Sequence, residues 1–78
     1  MPTIFRKNGY RFYFVSFDGS EPIHVHVSKD SKEAKIWLMP VKVAWSQFSA
    51  VETRKIIKEV SNKKKFIYAT WEKHFGTH

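Results

Sequence analysis

Ile23, Val25 and Val27 alternate with His24, His26 and Ser28, and after the polar break Lys29-Asp30-Ser31-Lys32 a second alternation sets Ala34, Ile36 and Leu38 against Glu33, Lys35 and Trp37. A period of two is the mark of a half-buried strand, because successive side chains point to opposite faces. Two such strands joined by a short polar turn pair as a hairpin. Directly opposed residues then share a face, so Ile23, Val25 and Val27 join Ala34, Ile36 and Leu38 over a core. His24, His26, Lys35 and Trp37 are predicted to lie together on the other face, the two histidine Cα atoms roughly 7 Å apart.

The flanking segments extend this unit. Thr3-Ile4-Phe5-Arg6-Lys7 is β-prone, and Asn8-Gly9 is a strong two-residue hairpin signal because both residues tolerate positive φ. Tyr10 to Phe17 reads as a second strand, apolar on both faces, which leaves open whether Phe12 and Phe14 or Tyr13, Val15 and Phe17 share the histidine face. Asp18-Gly19-Ser20-Glu21-Pro22 is a turn cluster. Pro40 ends the fourth strand or confines the next segment to an edge, and Val41 to Phe48 reads either as a short strand with Val41, Val43 and Trp45 on one face or as an apolar connection.

Ser49-Ala50-Val51-Glu52 has the form of a capping box and predicts a helix start. Val51, Ile56, Ile57 and Val60 form its predicted buried stripe, with Arg54, Lys55 and Lys58 on the wet side. Ser61 and Asn62 weaken the helix, and Lys63-Lys64-Lys65 cannot enter a core. Phe66, Ile67, Trp71 and Phe75 then continue at helical spacing up to Gly76, as one bent helix or two. Trp71, Trp45 and Phe75 read as core residues. The expected architecture is α+β: one domain over residues 1–78, an antiparallel meander of about four strands followed by C-terminal helix packed on one face.

A chain of 78 residues can bury one thin core, and without cysteine neither disulfides nor thiolate metal sites support it. Fourteen Lys and Arg against seven Asp and Glu give a net charge of +7, which suits a polyanionic partner. No segment approaches ~18 uninterrupted apolar residues and the Met1-Pro2-Thr3 start does not resemble a secretory signal. The expectation is a cytoplasmic protein without a membrane partner.

His24 and His26 admit several chemistries. As ligands, two imidazoles on one strand face could hold one side of a cation, with Glu21, Glu33, His74 or His78 as candidates for the third ligand; none has diagnostic spacing, so neither cofactor nor metal is expected. As an acid–base pair they could cleave RNA without metal, with Lys35 or Arg11 stabilising the phosphorane. As a recognition surface, Arg11, Tyr13, His24, His26, Lys35 and Trp37 could stack bases and contact phosphates. Arg54, Lys55, Lys58, Lys63, Lys64 and Lys65 add a basic stripe that either tracks a phosphate backbone or is simply solvated. The ordinary structural alternative makes the histidines polar residues satisfied by backbone or by Glu21 or Glu33.

The start Met1-Pro2-Thr3-Ile4, Gly9, the run Glu21-Pro22-Ile23-His24-Val25-His26-Val27 and the helical end with Trp71 together resemble the prokaryotic domain-of-unknown-function family 4160, over essentially the whole chain. The family pattern is similar to Pro-Pro-His-x-His-Val, with Ile23 here at the second proline. The resemblance implies a small protein of a toxin–antitoxin-like module with a cognate small protein partner, and it points to His24 and His26, with Glu21 and Pro22 shaping the approach to the strand. The combined expectation is nucleic-acid binding, RNA or DNA, through the histidine-bearing face. The alternatives are a ribonuclease and a module that binds an acidic protein.

Overall fold

The computed structural model describes residues 3–15 and 18–76. Five strands form an antiparallel sheet in sequence order: β1 Thr3–Lys7, β2 Tyr10–Tyr13, β3 His24–Lys29, β4 Lys32–Leu38 and β5 Val41–Ser46. Two helices come after the sheet, α1 Ala50–Asn62 and α2 Lys64–Phe75. The fold is thus α+β. The stretch after Pro40 is a full edge strand.

Local chemistry accounts for the turns. Asn8 and Gly9 take φ of 53° and 85°, which supply the positive φ that a two-residue hairpin needs between Lys7 and Tyr10. Asp30, at φ 57°, does the same between Lys29 and Lys32. β2 stops at Tyr13, short of the predicted Phe17; Phe14 remains in the core, and Ser16 and Phe17 lie outside the described residues.

The β3–β4 register is Val25↔Ile36 and Val27↔Ala34, with His24↔Trp37 and His26↔Lys35 between them. The predicted partition of the two faces therefore holds. β2 joins through Phe12↔Val27 and Tyr13↔His26, which settles its faces: Phe12 belongs to the core and Tyr13 sits beside the histidines. Phe12, Phe14, Val25, Val27, Ala34, Ile36 and Leu38 are fully buried beneath Ile56, Val60 and Ile67 of the helices.

β5 does not keep one alternation throughout. Ile36 pairs with Val43 and Lys35 with Trp45, so Ala44 is an extra residue in the ladder. Such a bulge flips the face of everything beyond it. Val41 and Val43 pack against the core as expected, but Trp45 turns to the opposite face and is 45% exposed, so it is not a core residue.

The Ser49 half of the predicted capping box forms, Ser49 Oγ accepting from the Glu52 N–H at 3.1 Å, while Glu52 Oε1 accepts from the Ser49 hydroxyl at 3.4 Å instead of reaching a backbone N–H. Glu52 Oε2 also accepts from the Tyr10 hydroxyl at 2.9 Å, tying α1 to β2. Ile56 and Val60 are buried and Ile57 partly so, whereas Val51 is 54% exposed and does not belong to the buried stripe. At about 3.6 residues per turn Val51 projects about 140° from Ile56 and about 180° from Val60, on the same side as Lys55 and Lys58, so it faces solvent. The helices are two, broken at Lys63. In α2, adjacent Phe66 and Ile67 cannot both face inward; Ile67 is buried and Phe66 lies on the rim, with its edge toward Phe5. Gly76, at φ 78°, ends α2 and donates its N–H to the Glu72 carbonyl.

Ile67→Ala opens a cavity in a fully buried site and is expected to lower stability by about 2–5 kcal/mol. Val51→Ala should change it by less than about 0.5 kcal/mol. Urea unfolding of the two variants beside the wild type checks both.

Candidate functional site

The cross-strand pairs arrange the uncovered face in two rows. One runs Tyr13–His26–Lys35–Trp45 from β2 to β5, and the other runs His24–Trp37–Lys42 from β3 to β5. Each row combines aromatic rings with one lysine. Lys35 Nζ lies 4.6 Å from the Trp37 ring and the Arg11 guanidinium 4.4 Å from the Tyr13 ring, close enough for cation–π attraction. Lys35 also donates to Glu21 Oε1 at 2.6 Å, and Arg11 Nε donates to Thr3 Oγ1 at 2.7 Å. Trp45, Lys42, Trp37 and Lys35 present surface to solvent here.

His24 behaves differently from the rest of its row. β2 ends opposite His26, so no paired β2 residue flanks His24, and Trp71 of α2 packs against the imidazole instead, with ring centres 5.4 Å apart. Trp37 and His26 close two further sides at 5.4 and 5.1 Å. The His24 side chain is 0% exposed and that of His26 14%.

The turn before β3 brings a carboxylate to both rings. Asp18 begins a short 3-10 turn, Asp18–Ser20, and its Oδ2 accepts from the Val15 N–H at 2.7 Å. Asp18 Oδ1 lies 2.9 Å from His24 Nε2 and 3.1 Å from His26 Nε2. Burial pushes the Asp18 carboxyl up, but the Val15 N–H and the His26 imidazole outweigh it, and the group stays below the usual carboxylate range. As an ionised acceptor it accepts a hydrogen bond from His26 Nε2–H. Gly19 holds this turn against α2: a Cβ there would sit 2.8 Å from the Phe75 ring. His24 Nδ1 lies 2.8 Å from the Pro22 carbonyl. A carbonyl only accepts, so Nδ1 carries the proton.

These contacts sort the predicted residues. Arg11, Tyr13, His24, His26, Lys35 and Trp37 come together on or beside the uncovered face. Arg54, Lys55, Lys58, Lys63, Lys64 and Lys65 lie on the helical layer, which covers the other face, so no single surface holds the whole set. Of the carboxylates and imidazoles considered as third ligands, Glu21 Oε1 is 3.9 Å from His24 Nδ1, the nitrogen facing Pro22, while Glu33 accepts from the Tyr13 hydroxyl at 2.8 Å. His74 packs against Phe14 and Phe75, and His78 lies outside the described residues. The group that can complete three ligand atoms is Asp18 with His24 and His26, all within 4.8 Å of one another. Asp18, Lys42 and Trp45 escaped sequence reasoning. The available signals were an acidic residue at the head of the turn cluster and the phase of β5 after a bulge.

An apolar groove of about 400 Å³ adjoins the start of β3, lined by Pro22, Ile23, Trp37, Met39, Pro40 and Lys42. No described helix is long and apolar enough to cross a membrane.

A five-stranded meander backed by two helices, with a histidine pair on its uncovered face, defines a small α+β domain. The chain belongs to the family described as domain of unknown function DUF4160, whose profile matches residues 9–72. None of the curated proteins and none of the solved structures matches it.

Burial first, and then the Glu33 carboxylate, push the Tyr13 phenol up from 10.0 to about 12. The folded value lies above the unfolded one, so this stabilisation is complete below pH 10 and disappears as pH rises through about 12. Glu33→Gln is expected to move one tyrosine of the ultraviolet titration back toward 10, leaving the Glu52-linked Tyr10 and Glu72-linked Tyr68 raised.

Proposed function

We propose that this protein binds single-stranded nucleic acid across the uncovered sheet face, with Trp45 and Trp37 as base-stacking platforms and Lys42, Lys35 and Arg11 facing phosphates. The observation that carries this reading is Trp45. It is a large aromatic residue turned out of the core by a bulge and 45% exposed, beside a cation in its row and another in the next. Every base has a π face, so exposed rings interleaved with cations suit extended, unpaired strands. The net charge of +7 supports the approach of a polyanion.

Binding fits the geometry better than cleavage. An acid–base pair must reach opposite sides of a scissile phosphate, whereas His24 has no exposed surface and both imidazoles converge on one Asp18 oxygen. His26 is the member of the pair that a bound strand could touch.

Anisotropy titration with a short fluorescent single-stranded RNA, and with DNA of the same sequence, should show binding that weakens steeply with salt. Trp45→Ala should weaken it by roughly 5- to 100-fold, the equivalent of one lost stacking contact, without altering the circular dichroism spectrum. Equal binding by wild type and Trp45→Ala, or none by either, would sink the proposal. Loss in Lys55→Glu/Lys58→Glu with full binding by Trp45→Ala would do the same, because it would put the contact on the helical layer.

A further inference from the structure

The geometry points to a divalent transition-metal site formed by Asp18 Oδ1, His24 Nε2 and His26 Nε2, independent of the nucleic-acid reading. His24 is the central observation. Its Nδ1–H is committed to the Pro22 carbonyl, so in the neutral ring Nε2 offers a lone pair. That nitrogen is fully buried and has no hydrogen-bonding partner. It nevertheless lies 2.9 Å from a carboxylate oxygen, itself an acceptor. Two lone-pair donors held that close in a buried site repel each other unless a proton or a metal ion lies between them.

The angle distinguishes a metal ion from a proton. The approach of Asp18 Oδ1 is too bent for an N–H···O bond despite the short distance. For two neighbouring ligands of an octahedral ion with ~2.1 Å bonds, each ligand atom lies about 45° off the other's lone-pair axis and about 3.0 Å from it. The separations of 2.9 Å to His24 and 3.1 Å to His26 match that edge. His26 supplies its Nε2 once the proton now donated to Asp18 leaves, as metal binding requires.

The surroundings are those of a built site. The backbone carbonyl on His24 Nδ1 orients a ligating imidazole and fixes its tautomer, and the Val15 N–H does the same for the carboxylate. Trp37 and Trp71 hold the His24 ring, while Gly19 lets the Asp18 turn lie flush on Phe75. Two imidazoles with one carboxylate favour ions such as Zn²⁺, Co²⁺, Ni²⁺ or Fe²⁺ over the oxygen-seeking Ca²⁺ and Mg²⁺. Three protein ligands leave further coordination positions, and the partial exposure of His26 gives water access to them.

Cobalt is the direct probe, since its visible absorption reports its ligands. Titration of the chelator-treated protein with Co²⁺ should give one ion per chain, a visible spectrum displaced by Zn²⁺, and a thermal midpoint that rises with metal and falls back with EDTA. Removing an outer-shell partner commonly costs ~10–100-fold in affinity, so loss of a ligand in His26→Gln or Asp18→Asn should weaken binding by more than about tenfold. Mg²⁺ should not compete. His24→Gln risks misfolding because its ring packs against Trp71; His26→Gln, at a half-buried position, keeps the test sound when its circular dichroism matches the wild type. Absence of Co²⁺ and Zn²⁺ uptake by the wild type overturns the inference, as does uptake that is unchanged in His26→Gln. Neither result bears on the Trp45 titration, which can be run in EDTA.

Discussion

The register between β3 and β4 governs this molecule. With Val25 opposite Ile36, five fully buried residues of the hairpin face the helices, and His24, His26, Lys35 and Trp37 face away. A slip of one residue in either strand would set imidazoles and an ammonium against the apolar residues of the other. Burial of an unpartnered charge costs far more than the marginal stability of a small domain. The same register therefore protects the core and assembles the histidine-bearing face, and neither can change alone.

The histidine cluster depends on how far β2 and α2 extend. β2 stops at Tyr13, and the space beside His24 is taken by Trp71, which also packs edge-on against Phe14 at 5.2 Å. The Asp18 turn is clamped at its other side by Phe75. One helix thus seals the core, buries His24 and fixes the carboxylate beside it. Perturbing α2 should be felt at His24 and His26 even though neither lies on that helix.

Charge is distributed by the same packing. Asp18 is engaged by imidazoles, and Glu33 and Glu52 accept from the hydroxyls of Tyr13 and Tyr10. Among the described residues, the ion pairs formed by lysine are Lys7–Glu59 and Lys35–Glu21. The cationic excess consequently remains at the surface. On the sheet it is interleaved with the indoles of Trp37 and Trp45.

Much was legible from residue order alone. The alternation in Ile23–Leu38, the Asn8-Gly9 turn and the Ser49–Glu52 cap are local signals, and each is set by neighbours within a few residues. They determined the meander, the shared face of His24, His26, Lys35 and Trp37, and the start of the helices. Tertiary structure decided the rest. Ala44 is an ordinary residue, and that it bulges and turns Trp45 outward depends on how β5 meets β4. Val51 stays in water because its spacing from Ile56 and Val60 puts it on the opposite side of the helix, which an apolar residue type alone does not reveal. Asp18 is six residues from His24 along the chain, and only the turn's seat against Phe75 puts its oxygen 2.9 Å from His24 Nε2. A period predicts which face a side chain takes; a contact between three side chains from a turn and a strand depends on the packing of everything around them.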